Sequence, residues 1–312
     1  MLNFILKRIA LAVPTFLAVS FLVFFAARMA PSDPVEILLG ERGTPENVAR
    51  IRKAYGLDKP LLLQYVNYVG GIVLHGDFGK SFSRGGQPVS EMIKEDFPVT
   101  AQLALTALFF AMVIGLPVGA LAALYHNSWF DRLAMAGVVA MVSVPSIVLG
   151  PLLVLFFAVR LGWLPVSGWD SPVYTILPTV TLGARSAALI ARFMRSSLLD
   201  VLRQDYLRTA MAKGLSRGRA VARHALKNAC LPVLTILGTN FGALLTGSFV
   251  VETLFQVPGI GYVSIDSITK RDYPVIQGMA MLVALIFILV NLGVDILYGV
   301  VDPRVRSQEA QP

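Results

Sequence analysis

Ala210, Ala212 and Gly214 alternate within a basic stretch, Ser196 to Pro232, whose sequence is SSLLDVLRQDYLRTAMAKGLSRGRAVARHALKNACLP. Small residues beside a helix break let a short helix enter a partner's groove with close backbone contact, so the chemistry on offer is recognition rather than catalysis. Gly214 suits the residue just past a helix end, and Ser216 suits the start of the next helix. That second helix carries Arg219, Arg223 and Lys227 at i, i+4 and i+8, a basic ridge on one face. Such a ridge attracts anionic lipid, at about 1 kcal/mol per charge. On spacing alone two readings stand: a docking element for a cytoplasmic protein, or a surface helix held by lipid. A second charged group of interest, Arg185, lies deep in an apolar run. An arginine there faces the bundle interior or a water-filled pathway, or else snorkels or pairs structurally.

Catalytic and metal-binding constellations are weak by comparison. Gly79-Lys80-Ser81 resembles the end of a phosphate-binding loop, but Leu74 occupies the position where G-x-x-x-x-G-K-[ST] needs its first glycine. HExxH is absent, and the one G-x-S-x-G match, Gly214-Leu215-Ser216-Arg217-Gly218, falls between two expected helices with no strand before it to form a nucleophile elbow. His75, His126 and His224 are far apart, and the single cysteine, Cys230, excludes an internal disulfide and a multi-cysteine metal site. The sequence therefore predicts no catalytic residue, no metal site and no cofactor bound by this chain.

The elements that position these residues are membrane spans. Hydrophobic residues make up 55% of the 312 positions and charged residues 15%, where a soluble domain carries about a quarter charged. Mean hydropathy is +0.68, and apolar runs long enough to cross a bilayer recur. The expected fold is an all-α integral membrane protein with six transmembrane helices. The spans are Ile9–Ala27, Ala101–Leu124, Leu133–Val159 (interrupted by Pro145 and Gly150-Pro151), Thr175–Met194, Leu231–Val251 and Val275–Val301. Lys7 and Arg8 precede the first run, which is too long for a signal-peptide core and lacks a cleavage site, so it is read as an uncleaved span.

The division predicted is a first span over 1–30, a small helical periplasmic cap over 31–98, a five-span core over 99–303 with a cytoplasmic loop at 196–230, and a cytoplasmic tail over 304–312. Within the cap, Thr44 as N-cap with Pro45 behind it starts one helix that Gly56 ends; two more are expected over Leu61–Val73 and Val89–Asp96. Gly115 and Gly119, one turn apart, have the small-xxx-small spacing of close helix contacts. In the loop, a helix running on from the fourth span through Leu199, Leu202, Tyr206 and Ala210 is expected to reach Lys213, with Pro232 in the first turn of the fifth span. From Arg185 to Lys227 ten basic residues face two acidic ones, a net +8 equal to that of the whole chain. Six spans with Lys7 and Arg8 inside put both termini and this stretch in the cytoplasm, in agreement with the positive-inside rule. The charge excess is thus topological, and no nucleic-acid partner is expected.

The segment Asp205-Tyr206-Leu207-Arg208-Thr209-Ala210-Met211-Ala212-Lys213-Gly214-Leu215-Ser216, with His224 to Ala229 and Leu231-Pro232 behind it, resembles the cytoplasmic loop of dipeptide/oligopeptide-type ABC importer permeases. That loop is their version of the EAA loop of binding-protein-dependent permeases. Gly56-Leu57-Asp58-Lys59-Pro60, Gly76-Asp77-Phe78-Gly79 with Ser81, Pro258-Gly259-Ile260-Gly261 and Arg271-Asp272-Tyr273-Pro274 resemble further blocks of the same subfamily, in order along nearly the whole chain. Arg208 stands where the general motif has an acid, and the spacing from Gly214 to Pro232 is longer than in that motif. Both are usual for the peptide type. Met211 sits where that subfamily often has arginine, which removes one charged contact.

The resemblance implies a pore-forming subunit that pairs with a second homologous permease, in a heterodimer. It implies two ATP-binding subunits, which hold ATP and Mg and do the hydrolysis, and a periplasmic substrate-binding protein, all at the bacterial inner membrane in contact with lipid. Asp205, Tyr206, Arg208, Thr209, Ala210, Ala212, Lys213, Gly214, Leu215 and Ser216 would form the ATPase-docking loop, with Ala210 to Ser216 in the groove itself. Arg185 in a translocation pathway is a reading of the residues alone. The implied cargo is di- or oligopeptides; glutathione, nickel complexes or another small solute are alternatives on the same architecture. A self-sufficient secondary transporter is a more distant one, for which Asp295 and one arginine offer thin support.

Overall fold

A computed structural model describes residues 2–29, 35, 44–54 and 56–301. The expected tail over 304–312, residues 31–34 and 36–43 of the expected cap, and Tyr55 lie outside the described residues. In chain order the helices are α1 (Leu2–Arg28), α2 (Pro45–Ala54), α3 (Leu61–His75), α4 (Val89–Leu124), α5 (Trp129–Ser143), α6 (Ser146–Leu153), α7 (Ile176–Leu202), α8 (Asp205–Ala212), α9 (Arg217–Ala220), α10 (Leu226–Phe255), α11 (Ile260–Thr269) and α12 (Tyr273–Val301). π-helical turns extend α6 over Val154–Arg160 and join α9 to α10 over Val221–Ala225. Among the described residues four helices are long and apolar enough to cross a membrane, and up to seven crossings result if each bent pair is one span.

Several boundaries differ from the sequence reading. The helix expected over Val89–Asp96 and the second span are one 36-residue helix, α4, which passes the expected cap boundary at Pro98 without a break. The third span is a pair bent by 107° between Ser143 and Ser146. Pro145 makes the bend, because it has no N–H and holds its neighbour Val144 extended (ψ 116°). Pro151, by contrast, sits inside α6. Pro232 lies inside α10 rather than in the first turn of a span, as membrane helices tolerate.

The chain divides into two compact units. The first comprises Ala101–Val257 and the chain from Gly293 on. Its axis is α7, buried along most of its length. Gly115 and Gly119 of α4 face it directly. A Cβ on Gly115 would lie 2.6 Å from the carbonyl oxygen of Ala187, and one on Gly119 would strike that of Ala191. Gly183 of α7 answers from the other side, with the carbonyl oxygen of Ala107 2.7 Å from where its Cβ would be. The Gly115/Gly119 spacing is therefore a close backbone contact, not chance composition. Ser197 of α7 donates to the Ala229 carbonyl of α10 (2.8 Å), which fixes the third partner.

The second unit comprises Leu2–Thr100 and Pro258–Leu292. Thr44 caps α2 as expected, accepting from the Asn47 N–H at 3.3 Å, and Gly56 takes the left-handed conformation (φ 63°). Gln277 donates to the Phe24 carbonyl, and Thr100 Oγ1 accepts from the Ile260 N–H at 2.9 Å. The unit's tightest polar cluster surrounds Asp272, which is fully buried. Ser81 Oγ (2.6 Å), Ser83 Oγ (2.7 Å), and the N–H groups of Phe82 (3.0 Å) and Ser83 (2.9 Å) all donate to its carboxylate. Ser81 is thus a structural donor rather than the end of a phosphate-binding loop. Arg271, left-handed at φ 54°, closes α11 through Arg271 N–H to Ile268 O and Asp272 N–H to Ser267 O. That turn delivers Asp272 to the serines.

Burial alone pushes the Asp272 carboxyl up, but the hydrogen bonds together outweigh it and hold the group below its ordinary value. A carboxyl lowered on folding stabilises the fold above its unfolded-state pKa, and that contribution disappears as pH falls through the lowered folded value. Asp272→Asn should therefore be less stable than the native chain near neutral pH. Each charge-assisted bond weakened costs about 1.5–3 kcal/mol. The gap should close on acidification below about pH 4. Thermal unfolding of both proteins in detergent across that range checks this; a gap that stays constant would refute it.

Candidate docking site

The loop expected to form one helix down to Lys213 breaks at Arg203-Gln204. Gln204 is extended (φ −74°, ψ 142°) and α8 starts afresh at Asp205, whose acid suits a first helical turn. The reason for the break is burial. Leu207 is 2% exposed and shares one core cluster with Leu198, Ala220, Val221 and Ala225. A helix continued straight from α7 would carry Leu207 into water. The turn folds it back.

Leu207 is the only buried residue of α8. Asp205, Tyr206, Arg208, Thr209, Met211, Ala212, Lys213, Gly214 and Ser216 are all exposed, and Ala210 and Leu215 are half-buried. Tyr206 Oη accepts from Asn228 Nδ2 at 2.8 Å, tying α8 to α10. Arg208 and Asp205 approach at 3.5 Å with both side chains largely in solvent, a pair worth little.

The end of α8 is set by Gly214 at φ 93°. Its N–H bonds the Met211 carbonyl at 3.0 Å, and the Leu215 N–H bonds the Ala210 carbonyl at 3.2 Å. This pair of bonds is a Schellman closure, which favours glycine at the left-handed position. Leu215 then packs onto the same cluster as Leu207. Ser216 holds the N-cap position of α9, but its hydroxyl makes no capping bond. Beyond it, Ala220, Val221, Ala225, Ala229 and Val233 turn inward, while Arg219, Arg223 and Lys227 are exposed.

Arg185 lies elsewhere, in the middle of α7. Leu182 to Ala188 are buried except for Arg185 itself, which is exposed. No ion pair engages it among the described residues.

Residues 115–307 match the model of the binding-protein-dependent transport system inner membrane component, and residues 1–104 match that of its N-terminal region. The chain belongs to this permease family. The glutathione transport system permease protein GsiC of Salmonella typhimurium strain LT2 is 46% identical over 98% of this chain and 99% of its own. The protein of that name from Escherichia coli K12 is 45% identical over the same shares. Among solved structures, an inward-facing MetNI methionine ABC transporter matches with a TM-score of 0.59 at 21% identity, covering 68% of this chain and 96% of that one. That likeness speaks for the fold alone. The chain is a permease subunit of an ABC importer and a multi-pass inner-membrane protein, and membership implies ATPase and binding-protein partners.

Sequence reasoning missed what holds the permease's loop region in place. Asp131, 2% exposed, accepts from Arg195 Nε at 2.6 Å and Nη2 at 2.7 Å. The Asn127 N–H adds a bond at 2.9 Å, and His126 Nδ1 lies 3.3 Å from Oδ2. This two-pronged pair ties the α4–α5 turn to α7 two turns before the end of α7. A signal was present: Ser128-Trp129-Phe130-Asp131 has capping-box spacing, and Ser128 Oγ does accept from the Asp131 N–H.

Proposed function

We propose that this permease imports small peptides, with glutathione the first candidate, and that Ala210–Ser216 seat in a groove of a separate ATPase. The observation that carries the substrate reading is the full-length match to glutathione permeases at 46% identity. The docking reading is supported by an exposed, small-residue helix end whose only buried residue is Leu207. In this scheme six spans, namely α1, α4, the α5–α6 pair, α7, α10 and α12, place both termini in the cytoplasm, and α11 lies on the outer face. A second, homologous permease completes the pore as a heterodimer. ATP and Mg bind the partner ATPases, whose closure pushes α8 and switches the pore between outward and inward access. The region over 31–98 meets the binding protein or shapes the entry.

Arg185 faces the pathway. An uncompensated arginine in the middle of a span is costly against lipid and useful against a carboxylate. Glutathione carries two carboxylates, and peptides at least one.

The test is uptake of radiolabelled glutathione by proteoliposomes holding the assembled transporter and its binding protein, with dipeptides as competitors. Glutathione uptake that excess dipeptide does not abolish supports the reading; no uptake of either overturns the peptide class. Arg185→Ala should raise the half-saturating concentration about tenfold, the loss of about 1.4 kcal/mol of charge-assisted contact, and leave ATPase co-purification unchanged. An unchanged half-saturating concentration would remove Arg185 from the pathway.

A further inference from the structure

Helix α3 is out of character for a solvated cap. Its fifteen residues, LLLQYVNYVGGIVLH, include no Asp, Glu, Lys or Arg. One face is committed to α1. Gln64 and Ile72 are buried. Tyr65 Oη bonds Ser20 Oγ at 2.8 Å and the Leu17 carbonyl at 3.2 Å. Its ring centre lies 5.7 Å from that of Phe21 and 5.6 Å from that of Phe24. The rest of its surface bears Leu62, Leu63, Val66, Val73 and Leu74, all exposed, with Leu74 at 76% and Asn67 the exposed amide beside them. In water that surface would forfeit about 1.5–3 kcal/mol per large side chain.

The position of α3 along α1 shows what covers it. The apolar span of α1 runs Arg8–Arg28, and only 11% of its apolar window is buried, so this helix is itself bordered by lipid. At a rise of 1.5 Å per residue, Leu17 lies about 14 Å and Phe24 about 24 Å along the helix from Arg8. A hydrocarbon core about 30 Å thick encloses both. The contacts of Tyr65 are therefore at hydrocarbon depth, running from about the bilayer midplane at Leu17 into the half away from Arg8 at Phe24. Helix α3 is about 22 Å long, too short to cross, and the left-handed Gly76 (φ 64°) turns the chain at its end into Asp77.

We infer that α3 is embedded in the membrane against α1, and that its Leu62/Val66/Val73 face is a lipid-binding surface for the acyl chains of the leaflet distal to Arg8. On α1 itself Leu22 is likewise exposed, at 67%. The inference rests on the membrane reading of α1, and neither the substrate nor the docking loop enters it.

Bimane attached to Val66→Cys or Leu74→Cys, in a Cys230→Ser background of the complete transporter in nanodiscs, tests it. Leu22→Cys on α1 serves as the lipid reference and Arg84→Cys as the aqueous one. Brominated phosphatidylcholine should remove most of the emission at 66 and 74, as at 22, and iodide should act only at 84. Quenching at 66 and 74 by iodide would place the face in water and overturn the inference. Quenching by neither agent would show a protein partner there and overturn it equally. On the unsubstituted transporter, a diazirine-bearing lipid should modify peptides of α3 as well as of α1. Adducts on α1 with none on α3 would also refute it. Glutathione uptake, measured on the same samples, is expected to be independent of these outcomes.

Discussion

Gly214→Val is expected to reach the membrane in normal amounts and yet to lose at least about tenfold of the substrate-stimulated ATPase activity of the assembled transporter. Two observations separate the effects. A Cβ at Gly214 meets nothing within 4 Å, so packing inside the chain is unharmed. The backbone stands at φ 93°, which costs a branched L-residue about 1–2 kcal/mol or more. The cheapest escape is to unwind the closure of α8, which frees the Ala210 and Met211 carbonyls and withdraws Leu215 from the core. The end of α8 then loses the shape that a partner would grip. Gly214→Asn, which tolerates the left-handed conformation, should keep most of the stimulation. ATP hydrolysis with and without loaded binding protein, beside the amount of chain in the membrane, makes the measurement. Normal stimulation in the valine variant would end the docking assignment.

Asp131→Ala is expected to give the largest loss of stability, about 3–5 kcal/mol, because it leaves the Arg195 guanidinium without its partner. In apparent melting temperature that is a fall of about 10 °C. The Arg195 side chain is 23% exposed and that of Asp131 3%, so water recovers only part of the loss. Asp131→Leu combined with Arg195→Met should regain much of it, since removing both charges also removes the cost of desolvating them. Losses that simply add would show that the pair is not coupled. Only the Arg203-Gln204 turn separates α7 from α8, so the single variant should also weaken co-purification of the ATPase, and the double variant should restore it in part.

The helical class and the helix end at Gly214 were legible because they depend on local signals: apolar run length and the glycine itself. The Gly115/Gly119 contact was legible as a spacing, although only the fold shows Gly183 answering it. What escaped depends on partners distant in sequence. Nothing near Gln204 announces a break; Leu207 needs a core assembled from α7, α9 and α10 before the break has a reason. Ser81 and Asp272 lie 191 residues apart, and each reads as an ordinary loop residue until the fold joins them. Arg195 was visible only as one cation among ten, because charge counting cannot say which cation is already neutralised.

The way α8 is fastened has a mechanical consequence. Among the described residues its side-chain grip on the neighbouring helices includes one inward knob, Leu207, one tether, Tyr206 to Asn228, and the seated Leu215. An element held at so few points can swivel at low cost, since little contact area changes as it turns. It cannot be pushed or pulled without moving what the knob sits in, namely Leu198 on α7 and Val221 and Ala225 ahead of α10. Such a joint passes thrust and discards torque. A motor seated on it would have its stroke felt by two helices at once, while small errors in its angle of approach would be absorbed at the pivot.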